Sequence, residues 1–86
     1  MHSVELYELA IRVAESLGYN VRHENLGGVG GGACEVAGRK CIFVDLTLSP
    51  HDQLDQVAEA LGQDPAIHVV DIPTEIRELV GIGRAA

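Results

Sequence analysis

The stretch "ACEVAGRKCIFVDLTLSPHDQLDQVAEALG", from Ala33 to Gly62, decides the fold. Its first half places two short apolar runs on either side of a glycine-containing turn, which is typical of a β-hairpin. Its second half begins with Ser49 as an N-cap and Pro50 as the first helical residue, and it ends at a glycine. Between these ends, apolar residues recur at helical spacing: Leu54, Val57, Ala58 and Leu61. The stretch therefore predicts a hairpin followed by an amphipathic helix.

The turn of the hairpin is compatible with two registers. A loop at Gly38-Arg39 would place Val36 opposite Cys41. A loop at Ala37-Gly38 would instead place Cys34 opposite Cys41. The two registers have the same parity, so in either case the same four side chains share one face of the sheet: Cys34, Val36, Cys41 and Phe43.

A helix and a strand are predicted upstream of the hairpin. The helix covers about fifteen residues between Ser3, its N-cap, and Gly18, its stop. Its apolar stripe spans roughly 200° of the circumference, about twice the width that a surface helix needs. We expect the excess to be buried in an interface with a second copy or another protein, and the interface candidates are Val4, Tyr7 and Ile11. The strand is predicted over residues 19–26, with one side formed by Tyr19, Val21 and His23 and the other by Asn20, Arg22 and Glu24.

Downstream of the hairpin and its helix, "AIHVVDI" predicts a last strand from Ile67 to Ile72. A short helix is predicted from Glu75 to Val80, and residues 81–86 are predicted to form a frayed tail. The order αβββαβα predicts one α+β domain over residues 1–86. We expect two layers, with the helices on one face of a three- or four-stranded, mainly antiparallel sheet.

The composition excludes some classes of function. Thirteen acidic residues against six basic ones give a net charge of −7, which argues against a nucleic-acid surface. No apolar run is long enough to cross a membrane, and the first residues do not resemble a signal peptide. Two cysteines are too few for a secreted disulfide scaffold, so we expect a cytoplasmic protein.

The segment "NLGGVGGGAC", from Asn25 to Cys34, holds five of the ten glycines. A loop that cradles phosphate needs a helix N-terminus after it, whereas these glycines lead into a strand. A mobile connection and an anion site remain as alternatives. We favour an edge strand in which Gly30, Gly31 and Gly32 allow bulges or close approach and pair with an extended segment of another chain.

The two cysteines are expected to be buried, unpaired and packed like small apolar residues. The alternative is a metal- or thiol-dependent site that uses Cys34 and Cys41 together with His23 or His51. The spacing of these residues does not match that of a tetrahedral zinc site. No side chains are spaced as a nucleophile and its base, so we expect no catalytic residue and no cofactor.

The order of a helix, "LGYNVRHENL", glycines, a hairpin and "VDLTLSPHDQLDQVAEALG" resembles the core of the ImmA/IrrE-type bacterial zinc peptidases. The resemblance places Glu59 at the glutamate of the family's H-E-x-x-H motif. It also places Ala58 and Gly62 at the two histidines, so both metal ligands are missing. The chain also resembles short uncharacterised bacterial proteins that share "GGG-x-C" and "VDL". The missing metal ligands predict a non-catalytic domain. The wide apolar stripe of the first helix and the glycine-rich edge predict that it acts by self-association or by binding a protein partner.

Overall fold

A computed structural model describes residues 3–81 and shows three helices packed on a three-stranded sheet, which confirms the predicted α+β class. The elements in chain order are α1 (Ser3–Ser16), β1 (Asn20–Glu24), β2 (Gly32–Val36), β3 (Arg39–Asp45), α2 (Pro50–Gln63), a 3₁₀ helix (Pro65–His68) and α3 (Thr74–Leu79). Ser49 caps α2 as expected, because its hydroxyl accepts a hydrogen bond from the Asp52 amide. Within residues 3–81, no helix is long and apolar enough to cross a bilayer.

The sheet has the strand order β1-β3-β2, so the central strand is the last one in sequence. β3 pairs in parallel with β1 and antiparallel with β2. The prediction of a mainly antiparallel sheet is therefore wrong. Residues 25–31 cross the carboxyl end of β3, and this lets β2 enter on the far side of β3 instead of beside β1. The more apolar β3 thereby takes the central position.

The hairpin turn adopts the second of the two registers. Its loop is Ala37-Gly38, with φ angles of 50° and 79°. Positive φ at both central residues is the signature of a type I′ turn, which suits the twist of a two-residue hairpin. As a result Cys34 lies directly opposite Cys41.

The prediction of a strand from Ile67 to Ile72 is wrong. Pro65 begins a 3₁₀ helix there, and the Asp64 carboxylate caps this helix by accepting the Ala66 amide at 2.9 Å. The alternation of apolar residues reflects core contacts made from a turn and loop, since Ile67 and Ile72 are buried. The sheet consequently has three strands, and most of the predicted frayed tail, residues 82–86, lies outside the described residues.

The core lies between the sheet and the helices. Ile42 and Val44 of β3 are fully buried and point towards the helices. They pack in one cluster with residues of α1, α2, the 3₁₀ helix and α3: Ala10, Val13, Ala14, Leu54, Val57, Ala60, Leu61, Ile67 and Ile76. The opposite face of β3 carries Cys41 and Phe43, as the alternation of a strand requires.

The wide apolar stripe of α1 is accounted for within the chain. α1 contacts β1, α2 and α3, so it is surrounded by three elements and needs more than a one-sided stripe. Tyr7 and Ile11 are half-buried against the core, whereas Val4 is 69% exposed. The excess apolar surface that suggested a dimer interface is thus largely used inside the domain.

Candidate functional site

Asp45, at the carboxyl end of β3, is a fully buried carboxylate that holds the glycine-rich crossing. It accepts hydrogen bonds from the backbone amides of Leu26 (3.0 Å) and Gly28 (2.6 Å). It also accepts from both the amide (2.9 Å) and the hydroxyl (2.7 Å) of Thr47. The Thr47 hydroxyl, followed by the three amides, lowers the pKa of Asp45 from 3.8 to about 2, although burial acts in the opposite direction.

The crossing is therefore an anion-binding loop whose anion belongs to the same chain. Two of its amides, those of Leu26 and Gly28, already donate to Asp45. The segment leads into β2, so no helix N-terminus follows the glycines. This arrangement gives the glycines a structural role that the sequence pattern alone did not reveal.

Gln56 of α2 is a second clamp on the same segment. Its side-chain oxygen accepts from the Asp45 amide at 2.8 Å, and its side-chain nitrogen donates to the Gly30 carbonyl at 3.0 Å. Gly31 has a φ of +102°, and a Cβ there would collide with the Gln56 amide and lie 3.0 Å from the Phe43 carbonyl oxygen. Any other residue at position 31 would be strained, because the backbone is left-handed and the Gln56 side chain would have to move.

β2 forms one outer edge of the sheet and is largely exposed. In a type I′ turn the two residues that flank the loop, here Val36 and Arg39, form a hydrogen-bonded pair. Along an antiparallel ladder, hydrogen-bonded pairs alternate with non-hydrogen-bonded pairs, and Ala33 and Glu35 belong to the second kind. The backbone N–H and C=O groups of Ala33 and Glu35 therefore point away from β3. Of the three glycines predicted at this edge, Gly32 begins the strand, whereas Gly30 and Gly31 lie in the crossing that precedes it.

A cleft of about 200 Å³ runs beside β2, between this strand and α2. Its walls are small or polar, and Glu59 is the charged residue among them. The lining consists of Gly31, Gly32, Ala33, Gln56, Glu59, Ala60 and Gln63. The helix residues follow the i, i+3, i+4, i+7 spacing of a single face, so α2 buries one side in the core and presents a neighbouring side to the cleft.

The two cysteines share a face but differ in exposure. Cys41 is 4% exposed, and its sulfur lies 3.7 Å from the Arg39 carbonyl oxygen. Cys34, on the edge strand, is exposed. The expectation of two buried thiols is correct for Cys41 and wrong for Cys34, because an outer strand has a neighbour on one side only.

The two histidines of the alternative metal site lie apart from the thiols. His23 has the parity of the helix-covered face, where its ring nitrogen lies 2.6 Å from the Tyr7 hydroxyl oxygen. His51 is in the first turn of α2, 3.6 Å from the Asp55 carboxylate. Within the described residues, no three His, Cys, Asp or Glu side chains are grouped so that they would hold a metal ion.

A second carboxylate, Asp64, lies at the centre of a cluster that the sequence did not predict. Asp64 accepts hydrogen bonds from the Lys40 ammonium and the Tyr19 hydroxyl, both at 2.8 Å. Lys40, then the amide of Ala66, lower the pKa of Asp64 to about 2, while burial raises the pKa of Tyr19 to about 12. The cluster joins the start of β1, the hairpin and the end of α2. The signal for it was the "DP" after the helix, which is typical of an N-cap.

Three comparisons with known proteins give no relative from which a function could be transferred. The chain matches no protein-family model, and neither the curated proteins nor the solved structures contain a significant match.

Proposed function

We propose that this protein is a non-catalytic cytoplasmic domain that binds an extended, basic segment of a partner protein along β2. One observation carries the proposal: β2 is an exposed edge strand whose free backbone groups adjoin a cleft formed with α2. An extended segment could add to the sheet at this edge through main-chain hydrogen bonds, while side-chain contacts in the cleft would provide specificity.

The free backbone groups set how such a segment would bind. Ala33 and Glu35 each offer one outward N–H and one outward C=O, so a partner strand would find up to four hydrogen bonds there. The five residues of β2 extend about 17 Å, enough for a short linear segment. The small side chains of Ala33 and Ala60 leave room in the cleft for a side chain of the partner.

The charges favour a basic partner. Glu59 lines the cleft, and Glu35 lies on the side of β2 that faces α2. Neither carboxylate forms an ion pair with another described residue. The net charge of −7 would attract a basic segment and would repel a second copy of this chain. We therefore favour a different protein over a homodimer.

The non-catalytic part of the proposal is supported by α2. The resemblance to the zinc peptidases places Ala58 and Gly62 at the positions of the two histidines. Ala58 is 8% exposed, and neither residue has an imidazole to offer a metal. Glu59 would then be a binding residue of the cleft. We also propose that the cleft derives from that peptidase core.

A display library of random extended peptides tests the proposal. Selected peptides should be enriched in Lys and Arg, and a selected peptide titrated into labelled protein should shift the amides of residues 33–36 and 56–63. Glu59→Gln should weaken binding by about fivefold, because it removes one charge–charge contact. Glu75→Gln, at an exposed acid on α3, is the matched control and should leave the affinity unchanged.

Two substitutions at one position separate strand addition from charge. Glu35→Pro removes the outward N–H that a partner strand needs, whereas Glu35→Ala removes the carboxylate but keeps this N–H. The proline variant should lose binding, and the alanine variant should keep most of it. Equal binding by the two variants, or selection of peptides without basic residues, would contradict the proposal. If light scattering shows a dimer of the wild type and Glu35→Pro abolishes that dimer, the segment that pairs with β2 belongs to a second copy of this chain.

A further inference from the structure

We infer that Cys34 and Cys41 form a redox-responsive dithiol that closes to a cross-strand disulfide on reaction with a low-molecular-weight disulfide such as glutathione disulfide. The inference rests on the register of the hairpin and on the unequal exposure of the two thiols. It does not depend on partner binding at β2.

The register brings the two cysteines within bonding range. Cys34 and Cys41 are directly opposite each other, two positions along the ladder from the closing pair Val36 and Arg39. By the alternation of the ladder they form a hydrogen-bonded pair, in which the Cα atoms lie about 5.5 Å apart. Disulfides span Cα separations of about 4.4–6.8 Å, so the backbone already has a suitable spacing. Both side chains project from the same face of the sheet.

The same geometry makes the bond labile. Directly opposed Cβ atoms lie about 4.5–5.5 Å apart, whereas disulfides average about 3.8 Å between these atoms. Closure therefore requires β2 to move towards β3 by about 1 Å. β2 can move in this way, because within the described part of the chain β3 is its only neighbour in the sheet. A strained and accessible disulfide is easily reduced, which is typical of a regulatory bond and not of a structural one.

Unequal exposure assigns a role to each sulfur. The exposed Cys34 thiolate attacks glutathione disulfide, forms a mixed disulfide and releases one glutathione thiolate. The buried Cys41 then loses its proton to solvent, and its thiolate attacks the Cys34 sulfur. The second glutathione thiolate leaves as the Cys34–Cys41 bond forms. Overall, the two protein thiols are oxidised, and one glutathione disulfide is reduced to two molecules of glutathione.

The test follows the intact mass of the folded protein in buffers of glutathione and glutathione disulfide. The wild-type protein should lose two hydrogens and accumulate little mixed disulfide, and excess glutathione should reverse the change. Cys41→Ser should instead accumulate a stable adduct of one glutathione at Cys34. Cys34→Ser should remain unmodified while folded, because Cys41 is buried.

A relocated cysteine provides the matched control for the register. The double variant Cys34→Ser/Val36→Cys keeps an exposed thiol on the same strand and face, but places it diagonally from Cys41. Diagonal neighbours are about 7–8 Å apart, at or beyond the limit for a disulfide. This variant should form the intramolecular bond at least about tenfold more slowly than the wild type.

Three results would overturn the inference. One is a wild-type protein that stops at the mixed disulfide, as Cys41→Ser is expected to do. Another is equal rates of closure for the wild type and the relocated pair. The third is a disulfide between the Cys34 residues of two molecules as the main product. Closure in the wild type, an adduct in Cys41→Ser and slower closure of the relocated pair would together establish it.

Discussion

The glycine-rich crossing, residues 25–31, and the edge strand β2, residues 32–36, are adjacent in sequence and opposite in character. In the crossing, backbone groups are bound by buried or half-buried side chains, above all Asp45 and Gln56. In β2, the outward groups of Ala33 and Glu35 have no partner strand among residues 3–81. Both segments contain glycine, so glycine content alone does not show whether backbone groups are bound or free to pair. Hydrogen bonds from nearby side chains make that difference.

Removal of the Asp45 carboxylate should have the largest effect on the fixed segment. Asp45→Ala removes the acceptor of the Leu26, Gly28 and Thr47 amides, and the midpoint of thermal unfolding should fall by about 20 °C. Asp45→Asn retains one acceptor oxygen, so its midpoint of thermal unfolding should fall by about half as much. Asp71→Asn, at an exposed acid, is the control. A loss no larger than that of the control would show that the carboxylate does not hold the crossing.

Proline scanning of β2 tests which backbone groups are free. The N–H of Cys34 points to β3, so Cys34→Pro should reduce the free energy of unfolding by about 3 kcal/mol. The N–H of Glu35 points outward, so Glu35→Pro should cost less than about 1 kcal/mol. Urea unfolding measures both values. Equal losses would mean that the alternation, and with it the proposed docking edge, is misassigned.

Two neighbouring glycines mark the boundary between the two regions. Gly31 and Gly32 have nearly equal φ angles, +102° and +101°, but a Cβ meets the Gln56 amide only at Gly31. Gly32→Ala should cost about 1 kcal/mol through its backbone conformation. Gly31→Ala should cost about 2 kcal/mol more, because the clamp must also move. Equal losses of unfolding free energy for the two variants in urea would contradict a close contact between Gln56 and position 31.

Acid unfolding tests the charge of the two hydrogen-bonded carboxylates. Asp45 and Asp64 both have a pKa lowered from 3.8 to about 2 in the folded protein. The stabilisation from each is fully present above about pH 4 and is lost as the pH falls towards 2. The Asp64 contribution involves the partly exposed Lys40, so added salt should weaken it. Urea midpoints of the wild type, Asp45→Asn and Asp64→Asn between pH 6 and 2 would separate the two contributions.

The local features of the site can be predicted from the sequence, whereas the contacts between distant segments cannot. It placed Cys34 and Cys41 on one face, because period-two parity holds in either register. It did not identify Asp45 as the centre of the crossing. A single acid within the apolar run "CIFVDLTL", with Thr47 two residues later, is a signal for a side chain that bonds a turn. The other two donors come from a segment nearly twenty residues away, which no local pattern reports.

The sequence by itself determined the helices α1 and α2, the hairpin and the shared face of the cysteines. Caps, turn residues and hydrophobic periodicity act between residues close in the chain, so they can be recognised without the fold. Only the tertiary structure decided that β1 pairs in parallel with β3, that Asp45 binds the glycine-rich crossing, and that β2 is left at an edge beside α2. These features depend on which distant segments meet across the end of the central strand, and that outcome is set by the packing of the whole core.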